Sequence, residues 1–172
     1  PLSPYGVSKL ATEAYAAAYA AAYGMSTLSF RLFNVYGPLQ TAGHAYAAVV
    51  PAFVDAALRG QPLVLHGDGM QTRDFTYVGT VARVLTQAAV QHVSAAAPVN
   101  LAFGTRSSLL DLIARLERLL GHPLERVHVA ERNGDVRDSQ ASSDRLTAMF
   151  PALSAVPLDE GLQETVGWFK TL

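Results

Sequence analysis

What most narrows the folds open to this chain is the alternation of strand-like and helix-like segments. Short apolar runs at Met25–Val35, Pro62–His66, Pro98–Ala102 and Arg126–Ala130 alternate with longer stretches of helical spacing at Ser8–Tyr23, Tyr46–Leu58, Val78–His92 and a segment running to Leu120. Arg73–Tyr77 reads as extended, and two short helices near Ser143–Met149 and Asp159–Phe169 complete the chain. Strand and helix in turn, element after element, is the pattern of an α/β protein. The punctuation agrees. Gly24, Gly60 and Gly121 follow helical stretches as left-handed C-terminal caps do, and Ser108 with Asp111 three residues on resembles a capping box. Turns fall at Tyr36-Gly37-Pro38, Gly67-Asp68-Gly69 and Asn133-Gly134. Leu28, Phe30, Leu32 and Phe33 are expected to be buried, and the alternation in Arg126–Ala130 predicts a half-buried strand.

At 172 residues, half of them apolar and 16% charged, the chain is long and apolar enough for a compact domain with its own core. A formal net charge of −1 gives no bulk reason to expect nucleic acid or an anionic membrane as partner. The absence of cysteine excludes disulfides, thiolate nucleophiles and cysteine-ligated zinc. His44, His66, His92, His122 and His128 contain no i,i+4 pair, so no metal site is expected. No apolar run approaches the ~20 residues that span a bilayer. The first residues lack the basic start and apolar stretch of a signal peptide, and a cytoplasmic location is the expectation.

Chemistry concentrates near the N-terminus. Tyr5 and Lys9 stand at i,i+4, so their side chains leave one helix face on successive turns. An ammonium near a phenol favours the phenolate, and such a group can take a proton from a hydroxyl or return it. The alternative is a surface lysine beside a packed tyrosine.

The surrounding residues point further. Ser3-Pro4-Tyr5-Gly6-Val7-Ser8-Lys9-Leu10 resembles the catalytic segment of the extended short-chain dehydrogenase/reductases, specifically the nucleotide-sugar epimerases and dehydratases. Arg31–Pro38, Gly67–Val78 and Arg132–Arg137 resemble further segments of that family, in the same order and at similar separations. The resemblance implies the C-terminal portion of a Rossmann-like, doubly wound parallel sheet with a small α/β substrate-binding subdomain. Residues 1–172 would form one truncated unit, the Tyr/Lys helix and the last Rossmann elements interleaved with that subdomain. The glycine-rich turn that cradles a dinucleotide pyrophosphate and the family's catalytic Ser or Thr precede the tyrosine in such proteins, so an N-terminal NAD-binding half is expected to be missing. The chain alone is then expected to be inactive.

The resemblance also implies roles. Tyr5, as phenolate, would deprotonate the sugar 4-hydroxyl while the C4 hydride passes to NAD. Lys9 would support the phenolate and bind the nicotinamide ribose, so both residues are also cofactor contacts. Asn34, at a strand end before a Gly-Pro turn, would donate to a phosphate oxygen, or else satisfies the turn backbone. Arg73 and Arg132 would hold the diphosphate, because a guanidinium fork matches phosphate oxygens. Arg137 is a weaker candidate. Asp135 would accept from a ribose hydroxyl or cap its turn. Val50, within Ala47–Phe53, would contact the nucleotide base or belong to an ordinary packing face. Tyr15, Tyr19 and Tyr23 form a stripe that is either core or, in part, a homodimer face on the Tyr/Lys helix. The implied activity is NAD-dependent 4-epimerisation of a nucleotide sugar, UDP-linked by resemblance. A 4,6-dehydratase or decarboxylase of the same family, or a non-catalytic nucleotide-sugar-binding or dimerisation module, are the alternatives.

Three segments depart from the family pattern. Gly79-Thr80 replaces acidic residues, with Thr80 still able to cap the following helix. Leu39 stands where arginine is common, and Ser142 where aspartate is usual. Ser139, seven residues after Arg132, falls where the resemblance puts the neighbour of the sugar 2-substituent. A serine there leaves room for an acetamido group, and a one-residue slip would put Gln140 there instead.

Overall fold

A computed structural model describes residues 3–43, 48–131 and 136–172. Helix α1 (Pro4–Tyr23) begins four residues earlier than periodicity alone suggests. The Ser3 hydroxyl accepts the Gly6 N–H at 3.1 Å and Pro4 opens the first turn, a cap and a proline that need no apolar periodicity. Gly24 closes the helix at φ 66°. No residue of α1 is buried, and Tyr15, Tyr19 and Tyr23 are 70%, 51% and 74% exposed, so the stripe is not core.

The apolar run after α1 makes two short strands, β1 (Phe30–Leu32) and β2 (Val35–Tyr36), instead of one. Asn34 sits between them at φ 29°, a left-handed value that asparagine tolerates better than other side chains. It turns the chain from one partner strand to another. Leu28, Phe30 and Phe33 are only half-buried and Leu32 is 55% exposed, so this run is not the sealed core strand its composition suggests.

Then follow α2 (Val49–Leu58), β3 (Leu63–His66), β4 (Thr72–Arg73), β5 (Thr76–Tyr77), α3 (Val78–Val90) and β6 (Val99–Leu101). The chain continues through β7 (Ser107–Ser108), α4 (Leu109–Leu120), β8 (Arg126–Val129), β9 (Asp138–Ser139), α5 (Asp144–Met149) and α6 (Leu158–Phe169). Helix α4 carries the expected capping box. The Ser108 hydroxyl accepts the Asp111 N–H, the Asp111 carboxylate accepts the Ser108 N–H, and Gly121 ends the helix at φ 80°. Thr80 does not cap α3, which starts two residues earlier. It is buried and its hydroxyl accepts the Val156 N–H at 3.2 Å.

The strands pair in parallel as β1–β6, β2–β5 and β3–β8, and β4 lies between antiparallel β7 and parallel β9. This is the α/β architecture expected. Strand β8 is not half-buried: all four of its residues are exposed, and among the described residues β3 alone pairs with it. Two apolar clusters make the core. One joins α2, β3, α4 and α6 around Val54, Leu65, Leu112, Ile113 and Leu162. The other joins α3, β6 and α5 around Val84, Leu101, Leu146 and Phe150. Gly37 sits where β2 meets α3. Its φ is 147° and a Cβ would overlap the Val78 side chain, so glycine is required there. No helix among the described residues is long and apolar enough to cross a membrane.

Candidate functional site

A cleft of about 630 Å³ opens between α2, β2, β3 and the end of β4, lined by Asn34, Val49, Val50, Phe53, His66, Gln71 and Arg73 among others. Strand carboxyl ends are where sheets of this class bind ligands, and Asn34 lies two residues past the end of β1. Its Nδ2 donates to the Asp74 carbonyl at 3.4 Å, and its own carbonyl accepts the Thr76 N–H at 3.3 Å. Asn34 thus satisfies the local backbone and borders the cleft.

Arg73 is similarly divided. Its NH1 donates to the carbonyls of Thr72, Val136 and Arg137, at 2.8, 2.6 and 3.3 Å. The same side chain lines the cleft, so the guanidinium also ties down the segment that follows residues 132–135. Arg132 and Asp135 themselves lie outside the described residues. Arg137 is exposed and pairs with Asp68 at 3.0 Å, and Arg106 pairs with Asp138 at 2.7 Å. The Asp138 carboxyl is held below the usual carboxylate range by the Thr72 hydroxyl first and by Arg106 second.

Val50 is almost fully buried and belongs to the core, yet it lines the cleft with Val49, Ala52 and Phe53. This helix face thus packs into the core and also lines the cleft. Ser139 lies directly across from Arg73 in the β4–β9 ladder. Gln140, the next residue, donates through Nε2 to the Gly104 carbonyl at 2.9 Å.

Tyr5 and Lys9 do not line this cleft. They sit on the exposed first turns of α1, with the Lys9 ammonium 5.3 Å from the centre of the Tyr5 ring. The i,i+4 spacing thus brings phenol and ammonium together as expected. The cleft and the Tyr/Lys pair are separate features of the described chain.

Two residues without an assigned role in the sequence organise the site. Asp74 is fully buried. Its carboxylate accepts the Gly104 N–H at 2.9 Å and the Thr105 hydroxyl at 2.8 Å, while its carbonyl receives Asn34. A charged residue immediately after Arg73, in a run otherwise apolar or hydroxylic, was the available signal. Gln71 lines the cleft and donates through Nε2 to the His66 carbonyl at 2.7 Å, while its buried Oε1 has no hydrogen-bond partner among the described residues. The cleft floor is closed by Tyr36, whose hydroxyl donates to the Leu158 carbonyl and whose burial pushes its ionisation far up, so it is no acid or base at neutral pH. Among the described residues no group of three or more His, Cys, Asp or Glu could hold a metal ion.

Residues 1–102 match the family model described as the NAD dependent epimerase/dehydratase family. The UDP-N-acetylglucosamine 4-epimerase of Methanobrevibacter ruminantium, solved in complex with UDP-N-acetylmuramic acid, is 33% identical. It superposes with a TM-score of 0.93 over 99% of this chain and 55% of its own. The Thermotoga maritima UDP-glucose 4-epimerase, solved with UDP-glucose, is also 33% identical, with a TM-score of 0.92 over 99% of this chain and 54% of its own. The UDP-glucose 4-epimerase of Mycolicibacterium smegmatis is 31% identical over 170 residues, 99% of this chain and 54% of the relative. The chain thus spans about half the length of the relatives it matches.

Proposed function

Given that the chain belongs to the NAD dependent epimerase/dehydratase family, we propose that the protein it represents is a UDP-sugar 4-epimerase working through Tyr5 and Lys9. The observation that carries this is the cleft, where an amide and a guanidinium at strand ends face an apolar helix surface in one space. Asn34 and Arg73, with Arg132, hold the diphosphate. Val49, Val50 and Phe53 cover the base, and the unpartnered Gln71 Oε1 is an acceptor that an imide N–H of a pyrimidine would satisfy. Asp135 serves the ribose and Ser139 borders the sugar.

At the reacting carbon, Tyr5 accepts the proton of the sugar 4-hydroxyl through its phenolate oxygen and returns it when the 4-keto sugar is reduced on the other face. Lys9, one turn on with its ammonium 5.3 Å from the centre of the Tyr5 ring, donates to the nicotinamide ribose. NAD, when bound, supplies the acceptor and then the donor of the C4 hydride. The residues present fit the ribose end of NAD. No glycine-rich pyrophosphate turn occurs in this sequence, and that contact comes from residues outside it. Holding the diphosphate while the sugar turns uses remote binding energy to place the reacting carbon. A homodimer through α1, whose tyrosines are exposed, and a cytoplasmic location complete the reading.

Incubation of the complete protein with NAD and UDP-glucose or UDP-N-acetylglucosamine, followed by proton NMR, tests it. Appearance of the C4 epimer supports it. A 4-keto-6-deoxy product, carbon dioxide release from a UDP-uronic acid, or UDP binding without any product would each replace it with one of the other readings.

A further inference from the structure

Helix α1 carries the Tyr/Lys pair, and none of its residues is buried within this chain. Its least exposed residues are Gly6, Glu13, Ala16 and Ala20, which recur at helical spacing and define the face turned toward the rest of the chain. Lys9 lies on that face and Tyr5 on its edge. Glycine and two alanines present a smooth surface with no large side chain to lock rotation or sliding against a groove. One directional contact stands out among them. Arg31, on β1, donates from Nε to Glu13 Oε1 at 2.6 Å and from NH2 to Glu13 Oε2 at 2.7 Å. Among the described residues, no other side-chain hydrogen bond joins α1 to another element. The planar fork fixes direction as well as distance. Arg31 also stands three residues before the cleft-lining Asn34, on the strand that leads to it.

We infer that the Glu13–Arg31 pair is a positioning device that sets the rotation of α1, and so aims Tyr5 and Lys9 relative to the cleft. The inference rests on the proposed function for its catalytic part alone. Side chains reach ~5–6 Å from a helix axis, so a rotation of about 10° displaces them by about 1 Å. A misplacement of that size can cost on the order of a hundredfold in rate. The pair therefore acts through Tyr5 without touching substrate.

The test compares Glu13→Gln and Arg31→Lys with the unaltered complete protein. Asp159→Asn serves as the control, because it breaks an exposed ion pair of similar length between α4 and α6. Hydrogen exchange is read along α1 and α4, UDP binding by calorimetry counts folded sites, and kcat and KM are measured for the nucleotide sugar. Expected for both variants is exchange in residues 5–14 faster by roughly five- to tenfold with α4 unchanged. UDP stoichiometry and affinity should stay unaltered, and kcat should fall roughly ten- to a hundredfold with KM within about threefold. Arg31→Lys is the sharper variant, because it keeps the charge and loses the fork. Wild-type exchange in α1 for both variants overturns the inference, as does a kcat that falls only in proportion to lost UDP-binding sites. If the protein turns over no UDP-sugar at all, the proposed function fails, while the exchange arm still decides whether the pair holds α1.

Discussion

Removing the Asp74 carboxylate probes how the cleft is held together. Asp74 is fully buried and accepts two hydrogen bonds, from the Gly104 N–H at 2.9 Å and the Thr105 hydroxyl at 2.8 Å. Net contributions of bonds to a charged partner run about 1.5–3 kcal/mol each, and Asp74→Ala also leaves the Gly104 N–H without a partner. Against this stands the relief of no longer burying a carboxylate, which offsets part of the loss. The balance is a destabilisation of about 3–4 kcal/mol. At roughly 2–4 °C per kcal/mol for a chain of this size, the melting temperature should drop by about 6–16 °C. Asp74→Asn keeps one acceptor and should lose about half as much. Urea titration at constant m-value gives the free energies directly. An Asp74→Ala variant within about 1 kcal/mol of the parent would show that the β4–β5 run and the loop at Gly104 are not joined through this side chain.

Arg73→Ala and Arg132→Ala should each weaken UDP binding by about 1.5–3 kcal/mol in calorimetry. Arg73→Ala should also speed hydrogen exchange in residues 136–140, because it removes the donors to the Val136 and Arg137 carbonyls. Ser139→Tyr should abolish turnover of UDP-N-acetylglucosamine and spare UDP-glucose, since added bulk rejects by clash. Equal effects on the two sugars in steady-state assays would show that Ser139 is not the gate. The Asp111 carboxyl is held below its ordinary value by its bonds to the Ser108 side chain and backbone, as Glu13 is by Arg31 and Glu117 by the Leu124 N–H. A carboxyl depressed in the folded state contributes stability that is present above its unfolded value, about 4, and lost as pH falls through the folded one. Urea midpoints should therefore decline from about pH 5 downward, and Asp111→Asn should flatten that decline.

Helices and turns with chemical punctuation were legible in the sequence. The Ser108–Asp111 capping box and the Gly121 cap are local interactions whose partners lie within a few residues. The split of one apolar run into β1 and β2 was not legible, because it depends on a left-handed Asn34 whose partner strands, β6 and β5, come far later in the chain. The exposure of β8 and of the α1 tyrosines was hidden for a related reason. Periodicity shows which residues share a face and is silent on whether anything covers it. Of the site, Asn34, Val50 and Arg73 do border one cleft and Tyr5 and Lys9 do stand together. The organising role of Asp74 was signalled only by its charge after Arg73, because Gly104 and Thr105 come near it only on folding, and that of Gln71 carried no signal.

Tyr5→Phe in the complete protein tests the central claim most directly. Phenylalanine keeps the ring beside Lys9 and deletes only the hydroxyl that exchanges the proton. Turnover of the UDP-sugar should fall by at least about a hundredfold, the scale of general acid–base catalysis. The calorimetric affinity for UDP should stay within about threefold of the parent, because the cleft does not include this residue. Near-normal turnover of Tyr5→Phe would contradict the account.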